Sequence, residues 1–153
     1  MTSFQTMPPH SRVWIYQSNR ELTLAETEQT KSKAAEFVEQ WTSHDQLMKA
    51  SIEIRHNRFI IVCVDEKTAP ASGCGIDKSV KFIQQLEKDL SVSLLDRMNV
   101  AYRENGKVLS CPISELKNSN GLTVFNNLVA TKEEMEQNWE VPLEKSWHKQ
   151  LIT

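Results

Sequence analysis

The sequence predicts an α+β fold with the ferredoxin-like βαββαβ order: an antiparallel sheet, two helices on one face of that sheet, an added hairpin strand and a C-terminal helical tail. Two observations lead to this prediction. Short segments rich in β-branched and aromatic residues alternate with two longer segments of helical periodicity, in the order strand, helix, strand, strand, helix, strand. The length of 153 residues, with 39% apolar and 25% charged residues, is typical of one domain with its own core.

The predicted domain begins after a short N-terminal segment. Residues 1–11 contain Pro8 and Pro9 and show no periodicity, so we expect a flexible N-terminal arm there. Residues 12–153 are predicted to form a single α+β domain. Within it, residues 12–17 (RVWIYQ) carry the β-branched and aromatic side chains that are typical of a strand, and they form the first predicted strand.

The first helix is predicted from its start signal. Thr23 and Glu26 have the spacing of a capping box, in which each side chain accepts a hydrogen bond from the backbone of the other residue. We expect the helix to continue to about residue 44. Its predicted core face consists of Ala34, Phe37, Val38 and Trp41.

Two strands are predicted to follow this helix. Apolar and polar residues alternate over residues 48–55, which indicates a strand with one buried face. A turn at residues 55–58 leads into Phe59–Val64, a run of six consecutive apolar residues. Because such a run has no polar face, it indicates a strand covered on both sides at the centre of the sheet.

The second helix is predicted to run from residue 77 to about residue 90. Gly73 and Gly75 lie in the preceding loop, residues 65–75, where they permit a turn. Asp77 is expected to cap the helix by accepting a hydrogen bond from a backbone amide of the first turn. The residues expected to face the core are Val80, Ile83, Leu86 and Leu90.

A hairpin is predicted next, from the pair Asn105-Gly106. Strand-like residues 98–102 and 107–113 flank this pair, and Asn-Gly is the strongest short-range signal for a two-residue hairpin turn. A further strand is predicted at residues 122–125.

The tail is expected to contain helices over about residues 131–151. Thr131 and Glu134 repeat the capping-box spacing, and Pro142 suits the first turn of a last helix. The predicted apolar stripe of this last helix is Leu143, Trp147 and Leu151. We expect the stripe and His148 to pack against the domain, or the stripe to be exposed to a partner protein.

The composition excludes two classes of partner. Eighteen basic and twenty acidic residues give a net charge of −2, so the chain as a whole lacks the positive surplus that nucleic-acid backbones attract, and we expect no nucleic-acid partner. The longest apolar run is six residues. A membrane-spanning helix needs about 20 such residues, so no membrane span is predicted.

The cysteines indicate the compartment. Cys63, Cys74 and Cys111 are three in number and have no C-x-x-C spacing. Together with the lack of a signal segment at the N-terminus, this favours a reducing cytoplasm. His44 and His56 are scattered relative to these cysteines, so neither a metal site nor a cofactor is predicted.

The segment before the second helix, residues 72–79, resembles part of a phosphate-binding loop. Lys78 and Ser79 stand behind glycines at a predicted helix start, as in that motif. The motif also requires a glycine immediately before the lysine and another five residues before it, where this chain has Asp77 and Ser72. The nucleotide-hydrolysis motif is therefore incomplete. Two interpretations stay open, helix capping by Asp77 and binding of a small anion by the exposed amides.

Cys74 lies in the same segment and suggests a second chemistry. A thiol at a helix N-terminus near a lysine is one form of reactive cysteine, which acts as a nucleophile or as a redox sensor. Such a cysteine also needs a base, and His44, His56 or His148 would have to reach it through the fold. The alternative is a loop cysteine without chemistry.

Polar residues also cluster at the predicted strand ends. One hypothesis is a pocket in which arginine side chains hold a carboxylate or a phosphate. The other is that the asparagines form turns while the arginines pair with the many glutamates of the chain. The predicted ligand-binding residues are Arg20, Asn57, Arg58, Lys78, Ser79 and Arg97.

Six segments of the chain carry a resemblance to a known protein family. They are VWIYQSNR (13–20), NRFI (57–60), GCGIDKSV (73–80), DR (96–97), NNLV (126–129) and SWH (146–148). On these segments the chain resembles a family of small bacterial proteins of unknown function, sometimes labelled "ABC transporter ATPase". The label implies ATP hydrolysis, but both required glycines are missing and the chain is too short for the core of a transporter ATPase. We reject the activity that the label implies.

The function predicted from the sequence is binding rather than catalysis. We expect a non-enzymatic module of the cytoplasm that binds a small anionic ligand or a protein partner and forms a homodimer through exposed edge strands. One alternative is a thiol-dependent enzyme or redox-responsive protein that uses Cys74. Another, implied by the family label, is nucleotide binding at residues 73–79.

Overall fold

The α+β prediction is confirmed, because the described residues form three α-helices and three antiparallel sheets. This computed structural model describes residues 1–67, 69–117 and 121–152. The elements in chain order are β1 (Arg12–Gln17), α1 (Leu24–Gln40), β2 (Thr42–Ser43), β3 (Gln46–Leu47), β4 (Ala50–Arg55), β5 (Phe59–Val64), α2 (Gly73–Leu90), β6 (Asn99–Glu104), β7 (Lys107–Pro112), β8 (Thr123–Phe125), α3 (Lys132–Asn138) and β9 (Glu140–Pro142). Thr68 of the predicted loop and Thr153 of the predicted domain end lie outside the described residues.

The first sheet has the strand order β1-β5-β4, with both pairs antiparallel. All six residues of the central strand β5 are buried, as its unbroken apolar sequence predicts. Ile60 and Val62 face the cluster formed with α1 and α2, while Phe59 and Ile61 face a second cluster on the opposite side. β5 therefore joins the two layers of the core. Each of its fully buried large apolar side chains contributes roughly 1.5–3 kcal/mol to stability.

The second sheet has the strand order β7-β6-β8-β9 and also carries the predicted hairpin. Asn105 and Gly106 have φ values of 52° and 76°, the left-handed conformation that a type I′ turn requires. The register pairs Glu104 with Lys107 across this turn, which confirms the hairpin.

The ferredoxin-like sheet order is not what the structure shows. That order would place the fourth predicted strand beside the free edge of β1, whereas β6 pairs with β7 and β8 in the second sheet. The side chains explain the difference, since Val100 and Tyr102 of β6 pack with Val124 and Leu143 in a third cluster away from β1. The outer edge of β1 is therefore left without a full strand.

The end of α1 and the start of α2 differ from the predictions. The capping box of Thr23 and Glu26 is present, but α1 ends at Gln40 because the buried Trp41 turns inward and donates from Nε1 to the carbonyl oxygen of Gly75 at 2.9 Å. Residues 42–47 then form the small β2–β3 hairpin. None of the helices in the described residues has the length and hydrophobicity of a membrane span.

The cap of α2 is Ser72 rather than Asp77, so this prediction was wrong. The Ser72 hydroxyl accepts from the Gly75 amide at 3.5 Å and is hydrogen-bonded to the Ser43 hydroxyl. A Cβ at position 75 would lie 3.1 Å from the Cβ of Ser43, so a glycine fits this close approach. Asp77 lies within the helix, is exposed, and pairs with Lys81 at 3.2 Å.

The tail contains one α-helix and not two. Thr131 caps α3 as predicted, by accepting from the Glu134 amide at 3.1 Å. The last predicted helix is replaced by strand β9 and by short 3₁₀ turns at Leu143–Lys145 and Trp147–Leu151. Pro142 pairs with Thr123 in β9, which draws the chain into the sheet instead of into a helix.

The N-terminal segment packs against the domain, although its composition predicts a flexible arm. Phe4 and Met7 are 4% and 2% exposed. The ammonium group of the buried Lys132 donates to the carbonyl oxygens of Gln5 and Met7 at 3.0 and 2.8 Å. At the start of the chain, the Met1 sulfur accepts from the Ile52 amide, on the outer edge of β4. Apolar anchors and a buried lysine thus hold the segment in place.

Candidate ligand cavity at the edge of the first sheet

The outer edge of β1 is paired only near its two ends. At one end the Val13 amide donates to the carbonyl oxygen of Ala130 at 2.9 Å, and just beyond the other end the Asn19 amide donates to Ser93 at 3.2 Å. Because backbone groups of a strand alternate in direction, Ile15 points its N–H and C=O to the same outer side as Val13. Among the hydrogen bonds between described residues, none uses these two groups of Ile15.

A cavity of about 260 Å³ lies along this gap. Its walls come from β1, from the segment before β6, from the segment after β8 and from the last 3₁₀ turn. The lining residues are 12–17, 94–97, Asn99, 127–130, Trp147 and His148. Ligand sites for drug-sized molecules have roughly 300–1,000 Å³, so this volume fits a compact small molecule.

The charged residues at the cavity differ in whether they form ion pairs. Arg12 is occupied, since its guanidinium pairs with Glu66 at 3.2 Å and lies 4.5 Å from the ring centre of Trp14. Arg97 and Asp96 are exposed, and neither forms an ion pair with another described residue. A free cation and a free anion therefore stand side by side at the cavity.

Tyr16 adds a hydrogen-bond donor. Burial raises the pKa of the Tyr16 phenol, and the positive charge of Arg97 opposes part of this rise. The phenol is therefore protonated at neutral pH. It can donate its proton to an acidic ligand group that also faces the guanidinium.

A chain of side-chain hydrogen bonds ends at the cavity wall. Trp139 donates from Nε1 to Asn127 Oδ1 at 2.9 Å, and Asn127 donates from Nδ2 to Gln17 Oε1 at 2.9 Å. Gln17 in turn donates from Nε2 to the carbonyl oxygen of Asn99 at 3.0 Å. These bonds fix the amide orientations and connect the second sheet with the edge of the first.

Two buried polar atoms of the lining residues have no partner among the described residues. They are Asn99 Oδ1, an acceptor, and Trp147 Nε1, a donor. Leaving such a group unpaired costs about 1–3 kcal/mol. Both atoms are shielded from solvent by the packing of the wall, so the fold carries this cost.

His148 is held neutral at the base of the cavity. It is 3% exposed, and burial lowers its pKa to about 4. Its Nδ1 is hydrogen-bonded to the Ser146 hydroxyl at 2.6 Å, and its ring lies 4.1 Å from that of Trp147. The same hydroxyl accepts from the His148 amide at 3.4 Å, so it is engaged in capping the last 3₁₀ turn.

Of the predicted ligand-binding residues, only Arg97 lines the cavity. Arg20 instead holds Glu26 through two hydrogen bonds of 2.8 and 2.7 Å and also donates to the carbonyl oxygen of Leu90. Lys78 donates to Thr42, and the Ser79 hydroxyl donates within its own helix to the carbonyl oxygen of Ile76. These three side chains support the fold where they lie.

The predicted turn residues Asn57 and Arg58 lie at the far end of β5. The Asn57 side chain is hydrogen-bonded to the Thr27 hydroxyl at 3.3 Å. Arg58 is 6% exposed, and its Nη1 donates to the Ser110 hydroxyl at 2.6 Å. Burial lowers the pKa of the Arg58 guanidinium. This arginine connects the two sheets, and it does not share a site with Arg97 or Lys78.

Cys74 is exposed in the first turn of α2. Among the described residues, no group of three or more His, Cys, Asp or Glu side chains is placed to hold a metal ion. The predicted alternative sites on α2 thus lie apart from the cavity, which none of Cys74, Lys78 and Ser79 lines.

Most cavity residues were missed by reasoning from the sequence, because Tyr16 was assigned to a core strand and Trp147 to a tail stripe. One signal was available. Four of the six segments that carry the family resemblance, residues 13–20, 96–97, 126–129 and 146–148, contribute lining residues. Comparison with protein-family models, with curated proteins and with solved structures finds no match to this chain.

Proposed function

We propose that the protein is a non-enzymatic module that binds a small organic anion in the cavity at the edge of β1. The observation that carries this proposal is the combination, in about 260 Å³, of an unpaired arginine, outward-facing strand groups of Ile15 and an apolar wall. The lining combines polar and apolar surface in similar amounts, so it offers a ligand both charged partners and apolar contact.

The acid group of the ligand is proposed to be a carboxylate. Arg97 is the free cation at the cavity, and Asp96 stands beside it. One guanidinium balances the single charge of a carboxylate, which it can hold through two parallel hydrogen bonds. A phosphate of charge near −2 would leave a surplus negative charge next to Asp96, so a carboxylate fits better.

The rest of the ligand is proposed to be apolar. Leu95 and Leu128 line the cavity and are 40% and 48% exposed. Exposed large apolar side chains at the rim of a cavity lose unfavourable contact with water when an apolar group covers them. An organic acid with a small hydrocarbon body would cover both.

Binding without catalysis is proposed from the lining itself. The described residues that line the cavity include no serine, threonine, cysteine or lysine that would act as a nucleophile. His148 is the one histidine among them, and its low pKa makes it a weak base at neutral pH. Asp96 and Tyr16 also line the cavity, and we propose that they hold the ligand and take no part in a reaction.

The surroundings proposed for this function are those expected from the sequence. We propose a reducing cytoplasm, which is compatible with the free thiols of Cys63, Cys74 and Cys111. We also propose a homodimer, formed through the outer edge of β7, the last strand at one side of the second sheet. A monomeric mass at tens of micromolar in size-exclusion chromatography with light scattering would contradict the dimer.

The experiment that tests the proposed function is thermal unfolding followed by circular dichroism with a panel of small carboxylic acids and the corresponding alcohols. A ligand at about one hundred times its Kd stabilises a protein by roughly 2.7 kcal/mol, so we expect an acid to raise Tm by roughly 5–10 °C. Arg97→Gln should abolish the rise, while the matched variant Lys88→Gln, an exposed residue of α2 outside the cavity, should retain it. No shift with any acid at millimolar concentration would refute the proposal.

A further inference from the structure

We infer that the ligand of this cavity is an α-amino acid with an apolar side chain. The inference rests on the proposed function and specifies its ligand. Three features of the cavity argue for it: the neighbouring charges of Asp96 and Arg97, the outward-facing backbone groups of Ile15, and the apolar wall.

The first feature is a pair of neighbouring opposite charges. Asp96 and Arg97 both line the cavity, and neither is paired with another described charged residue. Asp96 Oδ1 accepts from the Met98 amide at 2.9 Å, which fixes the carboxylate and leaves its second oxygen for another donor. A zwitterion presents an ammonium group to Asp96 and a carboxylate to Arg97, whereas a simple acid leaves Asp96 facing its negative charge.

The second feature is the free edge of β1 at Ile15. In an antiparallel hydrogen-bonded pair, one residue exchanges its N–H and C=O with those of the residue opposite. An α-amino acid has the same spacing between nitrogen and carboxyl oxygen as a residue of a strand. Its ammonium group can therefore donate to the Ile15 carbonyl oxygen while one carboxylate oxygen accepts from the Ile15 amide. The bound molecule would take the place of a single residue in the missing strand.

The third feature is the apolar wall around this edge. Leu94, Leu128, Val129 and Trp147 line the same cavity as the two charges. The cavity of about 260 Å³ has room for one branched or aromatic side chain. Burial of such a side chain contributes about 25 cal/mol for each Å² of apolar surface removed from water.

The cost of the wrong ligand follows from these contacts. An acid without the amino group leaves the Asp96 carboxylate and the Ile15 carbonyl without their donor. An amide without the carboxylate leaves Arg97 without its anion. Each loss removes a charge-assisted hydrogen bond, for which we expect a roughly ten- to hundredfold weaker Kd.

The experiment is isothermal titration calorimetry on the full chain with matched probes. L-leucine and L-phenylalanine are compared with isocaproate and hydrocinnamate, which lack the amino group, and with leucinamide, which lacks the carboxylate. We expect at least one amino acid to bind at least tenfold more tightly than its deaminated partner. Leucinamide should bind at least tenfold more weakly than leucine.

The outcomes separate this inference from the proposed function. If isocaproate or hydrocinnamate binds as tightly as its amino acid, the inference is wrong while the proposed function stands. If no carboxylate binds, both are wrong. These comparisons use the unaltered protein and do not depend on whether a variant folds.

A variant pair locates the amino-group contact. Asp96→Asn keeps an oxygen for the Met98 amide but removes the charge, so it should abolish the preference for leucine over isocaproate. The matched variant Asp77→Asn, at an exposed position on α2, should retain the preference. A preference that survives in Asp96→Asn would overturn the assignment of the ammonium site.

Discussion

The two edges of the first sheet, formed by β4 and β1, differ in what lies against them. On β4, the outward-facing amide of Ile52 donates to the Met1 sulfur, and residues 1–7 lie over this side with Phe4 and Met7 buried. On β1, the outward-facing groups of Ile15 meet a cavity. Exposed strand edges are templates for unwanted pairing, and proteins usually cover them. The N-terminal segment covers the β4 edge, whereas the β1 edge has a gap that is large enough for a small molecule. We therefore propose that the ligand binds at the β1 edge.

The strongest test of this difference removes the anchor of the covered edge. Lys132→Met deletes the ammonium group that donates to Gln5 and Met7, and it leaves both carbonyl oxygens without this donor, that of Met7 in a buried position. We expect a loss of about 3 kcal/mol and a Tm lower by roughly 6–12 °C. Lys31→Met, at an exposed position on α1, is the control and should change Tm little. Equal Tm values for the two variants would show that the lysine does not anchor the segment.

The second test measures how stability depends on pH through His148, which lies beside the cavity at the β1 edge. His148 is buried beside the cavity with a pKa of about 4, below the value of about 6.5 that it has when unfolded. Because the unfolded chain binds a proton first, stability is full above pH 6.5 and falls as the pH is lowered toward 4. We expect the protein to lose roughly 1–3 kcal/mol over this range through His148.

The measurement is urea unfolding at pH 7.5 and at pH 5, with His148→Gln and, as a control, His44→Asn in the exposed β2–β3 turn. Removing His148 should reduce the difference in unfolding free energy between the two pH values, while the control should leave it unchanged. His56, whose pKa is also lowered by burial, contributes in the same direction and remains in both variants. An unchanged difference in His148→Gln would contradict the burial of a neutral imidazole.

A third test compares thiol reactivity and reports on the covered edge. Burial raises the pKa of Cys63 to about 11 and also raises that of Cys111, whereas Cys74 is exposed. We expect alkylation by iodoacetamide at pH 8 in the order Cys74, Cys111, Cys63. Cys63 shares a cluster with Phe4 and Met7, so Lys132→Met should accelerate its labelling and leave Cys74 unchanged.

The same labelling series addresses the alternative based on a reactive thiol. We expect the exposed Cys74 to be alkylated at about the rate of a small thiol compound in solution. A much faster rate would return the thiol-dependent function to consideration. Cys63 labelling as fast as that of Cys74 in the unaltered protein would contradict the packing of the N-terminal segment.

The smallest expected effect is that of Arg97→Gln at the β1 edge, measured without ligand. Arg97 is exposed and forms no ion pair with another described residue, so Arg97→Gln should change the free energy of unfolding by less than about 0.5 kcal/mol. Urea unfolding without ligand measures this. A loss of 2 kcal/mol or more, by order of magnitude that of a broken buried contact, would mean that Arg97 supports the fold instead of awaiting a ligand.

Local signals in the sequence predicted local structure well. The capping box of Thr23 and Glu26, the Asn105-Gly106 turn and the doubly covered strand Phe59–Val64 each depend on a few adjacent residues. The neighbour of β1 could not be predicted in this way. Strand pairing is set by contacts distant in sequence, and nothing within residues 99–104 shows that they pack with Leu143 rather than beside β1.

The same limit applies to the cap of α2 and to the cavity. Ser72 and Asp77 are both good caps by type, and the close approach of Gly75 to Ser43 favours the earlier start. Arg97 was predicted as a ligand residue from its place before a strand. Asn99 and Trp147 were not, because only the fold brings them to the edge of β1.

The hydrogen-bond chain from Trp139 through Asn127 and Gln17 to Asn99 gives the protein an internal optical probe. The indole N–H of Trp139 is bound at the far end of this chain, in the layer of the second sheet. Tryptophan fluorescence responds to hydrogen bonding at that nitrogen. In a variant that replaces Trp14 and Trp147, which line the cavity, a ligand that contacts Gln17 or Asn127 should therefore shift the emission of Trp139, a residue outside the cavity. Ligand binding at the edge of the first sheet would then be detected at a tryptophan beside the second sheet.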